Sequence, residues 1–314
     1  MKQITINKND ANQRLDKFLT KLCPSMPQSM LYKGLRKNCV KINGKHIKDI
    51  AHKLCEGDVV DLYFKDEFFQ SADISFEDLD ANLKIVYEDE NIMLIDKPSG
   101  VVVHEDDNGE KNSLIEQIKS YLYHNGEYNP DEENSFAPAL CNRLDRNTAG
   151  IVIAAKNAEA LRIMNQKIKD REIKKFYLCV VVGGLDKKEG ELRGYLFKDE
   201  KKKRVYVYDK SKKGTKTIVT KYKVLSEKNG LSLVEVELVT GRTHQIRAHF
   251  ASVGHPLLGD GKYGQNSINK KYQRQTQALY SYKLTFDFST DAGILSYIDK
   301  KTFEVGKVDF CDMF

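Results

Sequence analysis

The sequence predicts an α+β protein of two domains, and three observations carry the prediction. Apolar runs of strand length, above all residues 150–155, alternate with short stretches whose apolar residues recur at helical spacing. Asn43-Gly44 and Asn229-Gly230 are tight-turn signals of the kind that join antiparallel strands. The composition also changes along the chain. A basic first unit, residues 1–64, gives way to a segment rich in Asp, Glu, Phe and Ser at 65–82, which reads as a linker with the domain boundary near residue 72.

At 314 residues the chain is long enough for one large domain and one small one. The net charge of +6 and the sequence pI near 8.7 are compatible with an anionic partner without defining one. No apolar run reaches the length of a membrane span, and the opening MKQITINKND lacks a basic-then-apolar leader. The expectation is a cytoplasmic protein with no membrane association. The six cysteines are scattered, with no CxxC pair and no histidine at zinc spacing, so neither a disulfide framework nor a metal site is expected. Cys141 lies near Asp145, but its apolar approach at 137–140 reads as that of a buried, inert thiol.

In the first unit, residues 14–22 form an amphipathic helix with Leu15, Phe18, Leu19 and Leu22 on one side, stopped by Pro24 and Pro27. A second helix over 29–37 turns Met30, Leu31 and Leu35 inward, and strands follow at 40–42 and 59–64. The outer positions carry Arg14, Lys17, Lys21, Lys33, Arg36, Lys37, Lys41, Lys45 and Lys48, against only Asp10, Asp16 and Asp49 before Glu56. Solvated faces mix both signs, so this set reads as a phosphate-binding surface, with a generic basic cap as the alternative.

The second unit opens with strands at 85–87 and 91–95 around the acidic turn Glu88-Asp89-Glu90, then breaks at Lys97-Pro98-Ser99-Gly100 before a strand at 101–103. Asn112 is placed to cap a helix carrying Leu114, Ile115, Ile118, Tyr121 and Leu122. Residues 124–136 are a polar loop. Asn157 caps a further helix with Leu161, Met164 and Ile168 inward, and residues 174–183 form a buried strand. Between 186 and 223, Lys198, Lys201–Lys203, Arg204, Lys210, Lys212, Lys213 and Lys216 surround alternating Val205-Tyr206-Val207-Tyr208. This is the pattern of an exposed basic hairpin suited to gripping a phosphate backbone, or of a merely solvated one. Residues 231–239 alternate Val234, Val236 and Leu238 with Glu235 and Glu237, as one arm of a hairpin. Thr243 then caps a helix with Ile246, Phe250 and Val253 inward, ended by Gly254, and more strand follows at 279–286 and 302–308.

The chemistry concentrates in LCNRLDRNTAGIVIAAK, residues 140–156. Its second half suits a strand buried on both faces. In its first half Asp145 stands between Arg143 and Arg146 at the mouth of that strand. Flanking cations favour a charged, nucleophilic carboxylate. A structural ion pair pinning the loop is the alternative. His244 and His249 are not at a zinc-protease spacing, and Asp260, between Gly259 and Gly261, reads as a turn and cap residue.

RLDRNTAG resembles the signature of the RluA-type RNA pseudouridine synthases. VYEDENIMLIDKPSGVVVH before it, and KKFYLC and TGRTHQIRAHFASVGHPLLGDGKYG after it, resemble the family's other motifs in the family's order. RLDKFL, LRKNCVKINGK and GDVVDLYF resemble the small RNA-binding module first described in ribosomal protein S-four. The resemblance implies an α+β catalytic domain over 73–314, with a mixed, mostly antiparallel central sheet, flanking helices and an RNA cleft across it, preceded by the small module over 1–72. It implies Asp145 as nucleophile, Tyr177 packed on the target base and handling the proton at its C5, and Arg247 against the carboxylate. For RNA binding it implies Arg143, Arg146, Lys97, Arg242 and His244 around the cleft, with Arg14, Lys33, Arg36 and Lys37 in the module; for Lys97 a residue fixing the turn before Pro98 is an equal alternative. The departures are Asn142 where the family has His, Ala149 where it has Ser, and Cys179 where it has Ala. The implied reaction, uridine to pseudouridine in structured RNA, needs no redox partner or group donor, so no cofactor is expected. The expected partner is ribosomal RNA, then transfer RNA, and the expected state a monomer. A non-catalytic RNA-binding factor of ribosome assembly is the alternative, which an intact Asp145, Tyr177 and Arg247 oppose.

Overall fold

A computed structural model of the chain describes residues 1–69, 82–104 and 112–314. The boundary expected near residue 72 lies outside the described residues. The first unit contains β1 (Lys2–Thr5), α1 (Leu15–Leu22), α2 (Gln28–Arg36), β2 (Val40–Ile42), β3 (Lys45–His46) and β4 (Val59–Leu62). Its strands pair antiparallel in the order β1-β4-β2-β3. Leu15, Phe18 and Leu19 of α1 and Leu31 and Leu35 of α2 close a core with Val40, Val60 and Leu62. Asn43 and Gly44 both have positive φ, as the tight turn between β2 and β3 requires. Met30, expected inward, is 46% exposed. The helix buries Leu31, Gly34 and Leu35, spaced i, i+3, i+4, and Met30 sits about 100° off that stripe. Strand β1 escaped the sequence pattern because only Ile4 of its four residues is buried.

The second unit runs β5 (Ile85–Glu88), β6 (Ile92–Lys97), α3 (Leu114–His124), β7 (Ala139–Leu140), β8 (Ala149–Ala155), α4 (Ala158–Lys169), β9 (Ile173–Val182), β10 (Glu189–Asp199), β11 (Arg204–Tyr208), β12 (Lys216–Lys228), β13 (Leu231–Leu238), α5 (Gln245–Ser252), α6 (Asn266–Lys271), β14 (Leu279–Phe286) and β15 (Thr302–Glu304). One sheet follows the path β11-β10-β12-β13-β9-β14-β8-β6-β5, with β7 on β8 and β15 on β14. Among its described pairs only β8 with β14 is parallel. The mixed, mostly antiparallel sheet with flanking helices is therefore the observed fold.

Strand β8 is buried along its whole length. Ile151, Ile153 and Ala155 enter a core with Met164 of α4, while Val152 and Ala154 enter the opposite one with Leu114 and Ile118 of α3 and Phe250 of α5. That double burial is why the run carries no polar alternation. Gly150 sits at φ +114°, and a Cβ there would lie 2.2 Å from the Ser281 carbonyl oxygen on β14. Only glycine allows the parallel pairing to close at this point.

Element boundaries differ from expectation near the site, and some strands are shorter than expected, as at 59–62 and 302–304. Residues 101–103 are not a strand. The carbonyls of Val102 and Val103 accept the first N–H groups of α3, from Leu114 and Ile115, and that of Val101 accepts from Lys97, so they are not free for a neighbouring strand. Ser113, not Asn112, stands at the N-terminus of α3, and His244, not Thr243, at that of α5. Val253, expected inward, is 45% exposed just past the end of α5.

The two units touch through a polar seam. Asp10, fully buried, accepts hydrogen bonds from Ser135 Oγ and Asn134 Nδ2, both at 2.6 Å. Asn9 donates to Glu133 at 2.6 Å and accepts from the backbone N–H of Ala158, and Arg162 donates to the Ala11 carbonyl. The polar loop at 124–136 thus supplies one side of the seam.

Candidate active site

The loop that enters β8, the middle of β9 and the start of α5 converge on a cavity of about 880 Å³. Asp145, Tyr177, Arg247, Arg143, Arg146, Arg242 and His244 all line it. These residues come from three motifs spread over more than a hundred positions, so the fold brings together most of what the sequence singled out.

Asp145 sits in a tight turn closed by Thr148 N–H on its carbonyl at 3.0 Å. Its side chain is 28% exposed. Among the described residues neither flanking arginine makes the ion pair with Asp145 that is the alternative reading of the sequence: Arg143 is exposed at the cleft, and Arg146 Nε donates to the Gly100 carbonyl at 3.1 Å. The partner is Arg247, whose Nη1 donates to Asp145 Oδ2 at 2.8 Å, with His244 Nε2 at 3.8 Å from the same oxygen. Among the described residues, Oδ1 of Asp145 has no hydrogen-bond partner.

Arg247 is itself fixed by Asp260. Nε donates to Oδ2 at 2.7 Å and Nη2 to Oδ1 at 3.0 Å, a two-pronged pairing that matches the geometry of both groups. Asp260, fully buried, also accepts the N–H groups of Lys262 and Tyr263 at 2.8 and 3.0 Å. The turn reading of Asp260 therefore holds, but it omits the main partner. Burial weakens the hold of Arg247 on its proton, but the bonds and charge of Asp260, and then of Asp145, outweigh it and keep the guanidinium above its ordinary pKa. Burial pushes the Asp260 carboxyl up, and Arg247 more than reverses it.

Tyr177 lies on β9 opposite Ser281 of β14 and Val236 of β13, and is 5% exposed. Burial pushes its phenol up to about 12, with the Ser281 hydroxyl opposing and the charge of Asp145 adding. At neutral pH the phenol keeps its proton. Burial also pushes the Cys141 thiol up to about 12, which fits the inert reading although the residue lines the cleft.

Lys97 takes the turn role rather than the RNA-binding one. Expected to bind RNA, it is fully buried, and its ammonium donates to the carbonyls of Pro98, Val101 and Arg146 at 2.9, 2.9 and 3.0 Å. All three protons of Nζ are used in tying the Lys-Pro turn to the Asp145 loop. Burial lowers its pKa to about 8, with Asp145 opposing. In the module, Lys33, Arg36 and Lys37 are exposed, while Arg14 forks onto Asp16 at 2.9 and 3.1 Å.

Several working residues carried no signal of their own. Asn142, noted only as a departure from the motif, has its Oδ1 accept the Ile153 N–H at 2.7 Å, pinning the Asp145 loop to the strand it precedes. Gln245 accepts from Thr240 Oγ1 and the Arg242 N–H and donates to the Val219 carbonyl and Thr220 Oγ1, which locks the loop before α5. Among the described residues no three His, Cys, Asp or Glu side chains cluster as metal ligands.

A deep cleft holding a carboxylate gripped by arginine beside a buried tyrosine, on a chain with a separate basic module, is the architecture of an enzyme that acts on RNA. Residues 91–252 match the family described as RNA pseudouridylate synthase, and residues 13–60 match the S4 domain. A protein of Aquifex aeolicus named an uncharacterized RNA pseudouridine synthase is 35% identical, covering 87% of this chain and 85% of the relative. The ribosomal large subunit pseudouridine synthase C of Vibrio parahaemolyticus is 31% identical over 85% and 81% of the two chains. The solved structure of human RNA pseudouridylate synthase domain containing 1 shares the fold at a TM-score of 0.54 and 21% identity, covering 77% of this chain and 96% of that one. The chain belongs to the RNA pseudouridylate synthase family, in its RluA-type branch with an N-terminal S4 domain. It is an isomerase that converts uridine to pseudouridine in RNA.

Proposed function

We propose that the substrate is RNA of the large ribosomal subunit and that Asp145 is the nucleophile. The observation that carries the second part is the state of its carboxylate: Arg247 holds Oδ2, and Oδ1 has no hydrogen-bond partner among the described residues. The first part is supported by relatives named for the ribosomal large subunit and by the exposed Lys33, Arg36 and Lys37 of the N-terminal unit. On this reading the N-terminal unit, about residues 1–72, delivers the RNA, the remainder performs the chemistry, and the enzyme works as a cytoplasmic monomer.

Uridine and pseudouridine are isomers. The C1′–N1 bond breaks, the uracil turns, a C1′–C5 bond forms, C5 loses a proton and N1 gains one. The target nucleotide must leave its stack to reach the cleft. Asp145 supplies the nucleophile, whose transient bond to the nucleotide forms before the C1′–N1 bond is replaced and breaks again as the product is released, and Arg247 orients it. Tyr177 packs its ring against the base. Its phenol holds a proton at neutral pH, so it accepts the C5 proton only by passing its own onward, as N1 gains one in the net reaction.

Asp145→Asn tests the reading. It preserves shape and removes the charge, so pseudouridine should vanish from a substrate RNA after long incubation while RNA binding stays near normal. Turnover by the folded variant would refute the role of Asp145. Mapping pseudouridine in total RNA from cells with and without the gene tests the substrate, and an unchanged large-subunit RNA would refute that part.

A further inference from the structure

We propose that His244 works as a neutral imidazole carrying its proton on Nε2, an N–H dipole held facing Asp145 at 3.8 Å, and that Tyr263 is the residue that selects this tautomer. The inference deepens the reading of Asp145 as nucleophile and rests on it.

One hydrogen bond and one longer electrostatic contact favour the same tautomer. At one end of the ring, Nδ1 lies 2.9 Å from the Tyr263 hydroxyl oxygen. That oxygen already accepts the backbone N–H of Val205 at 3.0 Å. A phenol has one proton to give. If Nδ1 also carried a hydrogen, the oxygen would receive two donors and its own proton would have no acceptor among the described residues, since Arg204 and Arg247, stacked on the Tyr263 ring at 5.0 and 5.4 Å, only donate. Donation from the phenol to Nδ1 is the arrangement that satisfies all of these groups within the protein. At the other end, Nε2 lies 3.8 Å from Asp145 Oδ2. An N–H there faces a carboxylate favourably, whereas the other tautomer would oppose a lone pair to a negative oxygen. Burial lowers the pKa of His244, with the charge of Asp145 opposing, which is in keeping with a neutral ring.

The backbone supports the placement. His244 is in the left-handed region, φ 52°, at the residue before α5, and the side chain of Gln245 ties down the loop leading to it. A chain of hydrogen bonds thus runs from β11 of the basic hairpin, through Val205 N–H and the Tyr263 hydroxyl, to the imidazole that faces the nucleophile. Arg247 and His244 both address Oδ2, which leaves Oδ1 without a hydrogen-bond partner among the described residues. His244 is a positioning residue for Asp145, and Tyr263 is the residue that orients it.

Histidine-selective 15N labelling of the full chain reads the tautomer directly, with the His244 signal assigned by its disappearance in His244→Gln. The expected wild-type pattern is a protonated Nε2 and an unprotonated Nδ1 at neutral pH. Tyr263→Phe should blur that pattern into a mixture and lower kcat by about 10- to 100-fold, the range that a small misplacement at a reacting centre costs, while KM for RNA stays put. His244→Gln, whose amide N–H can stand where Nε2–H stood, should retain more of kcat than His244→Leu. A wild-type spectrum with the proton on Nδ1, or with both nitrogens protonated, overturns the proposal, and that measurement stands even if Tyr263→Phe does not fold. An unchanged tautomer and kcat in folded Tyr263→Phe overturns it as well. Loss of the Asp145 reading would appear elsewhere, as pseudouridine formation by Asp145→Asn.

Discussion

Arg247 holds two carboxylates at once, and that decides what substitutions around it should do. Replacing it by methionine strands Asp260, fully buried, without its cation. Removing one partner of a buried pair costs about 3–5 kcal/mol, so Arg247→Met should unfold at clearly lower denaturant as well as lose turnover. Asp145→Asn should leave stability almost unchanged, because that side chain is 28% exposed. Equal unfolding midpoints for Arg247→Met and the wild type would contradict the Asp260 pairing. Tyr177→Phe keeps the ring and removes the hydroxyl. RNA binding should persist and turnover should fall by roughly 10²-fold or more, the scale of a lost proton-transfer group. Unchanged turnover would reduce Tyr177 to packing. At this scale the sequence was partly legible. Asp145, Tyr177 and Arg247 stood in recognisable motifs and share one cleft. The Arg247–Asp260 fork was not legible, because a separation of 13 positions across a turn says nothing about which way two side chains point. Lys97 misled for a related reason. A lysine is read as exposed by default, and only three converging carbonyls, one of them 49 positions away, make burying it tolerable.

Among the elements, β8 was the most legible because burial on both faces leaves an uninterrupted apolar run. The short pieces were not. Strand β1 buries one residue of four, and residues 101–103 have strand-like composition but give their carbonyls to α3 and Lys97. Gly150→Ala would test the pairing of β8 with β14 most severely. The added Cβ meets the Ser281 carbonyl oxygen at 2.2 Å on a backbone already at positive φ, so the sheet must part there. A loss of at least about 3 kcal/mol, or failure to fold, is expected. A mild change in melting temperature would mean the two strands sit further apart. Helix α5 makes a pH prediction. Its His249 is buried against β12, with Nδ1 2.9 Å from Thr220 Oγ1, and burial pushes its imidazole down to about 4. The unfolded chain takes up that proton near pH 6.5 and the folded one only near 4. The contribution is therefore intact above 6.5 and is lost as pH falls from 6.5 towards 4, amounting to about 3 kcal/mol at most. Denaturant unfolding across that range should show a shallower pH dependence in His249→Gln than in the wild type.

For the molecule as a whole, the question is whether the N-terminal unit works as a tethered accessory or as a fixed wall of the RNA site. The sequence showed a polar loop at 124–136 and a basic module, but not that one grips the other, since loop composition carries no address. The grip is specific: Asp10 receives hydrogen bonds from Asn134 and Ser135, Asn9 joins Glu133 to the start of α4, and Arg162 reaches the Ala11 carbonyl. The first unit has its own core around Leu15, Phe18, Leu35 and Leu62, so loosening the seam should not unfold it. Asp10→Ala removes both acceptors from a fully buried position, and hydrogen bonds to a charged group are worth about 1.5–3 kcal/mol each. Combined with Asn9→Ala, it should release the module from its docked position while leaving both units folded. Small-angle scattering should then report a larger radius of gyration. Pseudouridine formation on a structured RNA long enough to span from Lys33, Arg36 and Lys37 to the cleft should slow, and a short RNA that fills only the cleft should be converted at the wild-type rate. The salt dependence of binding the long RNA should flatten by roughly 0.7 to 0.9 log units per log of salt for each phosphate contact that no longer forms. If the double variant scatters like the wild type and treats both RNAs alike, the seam is incidental and the module acts through its tether alone.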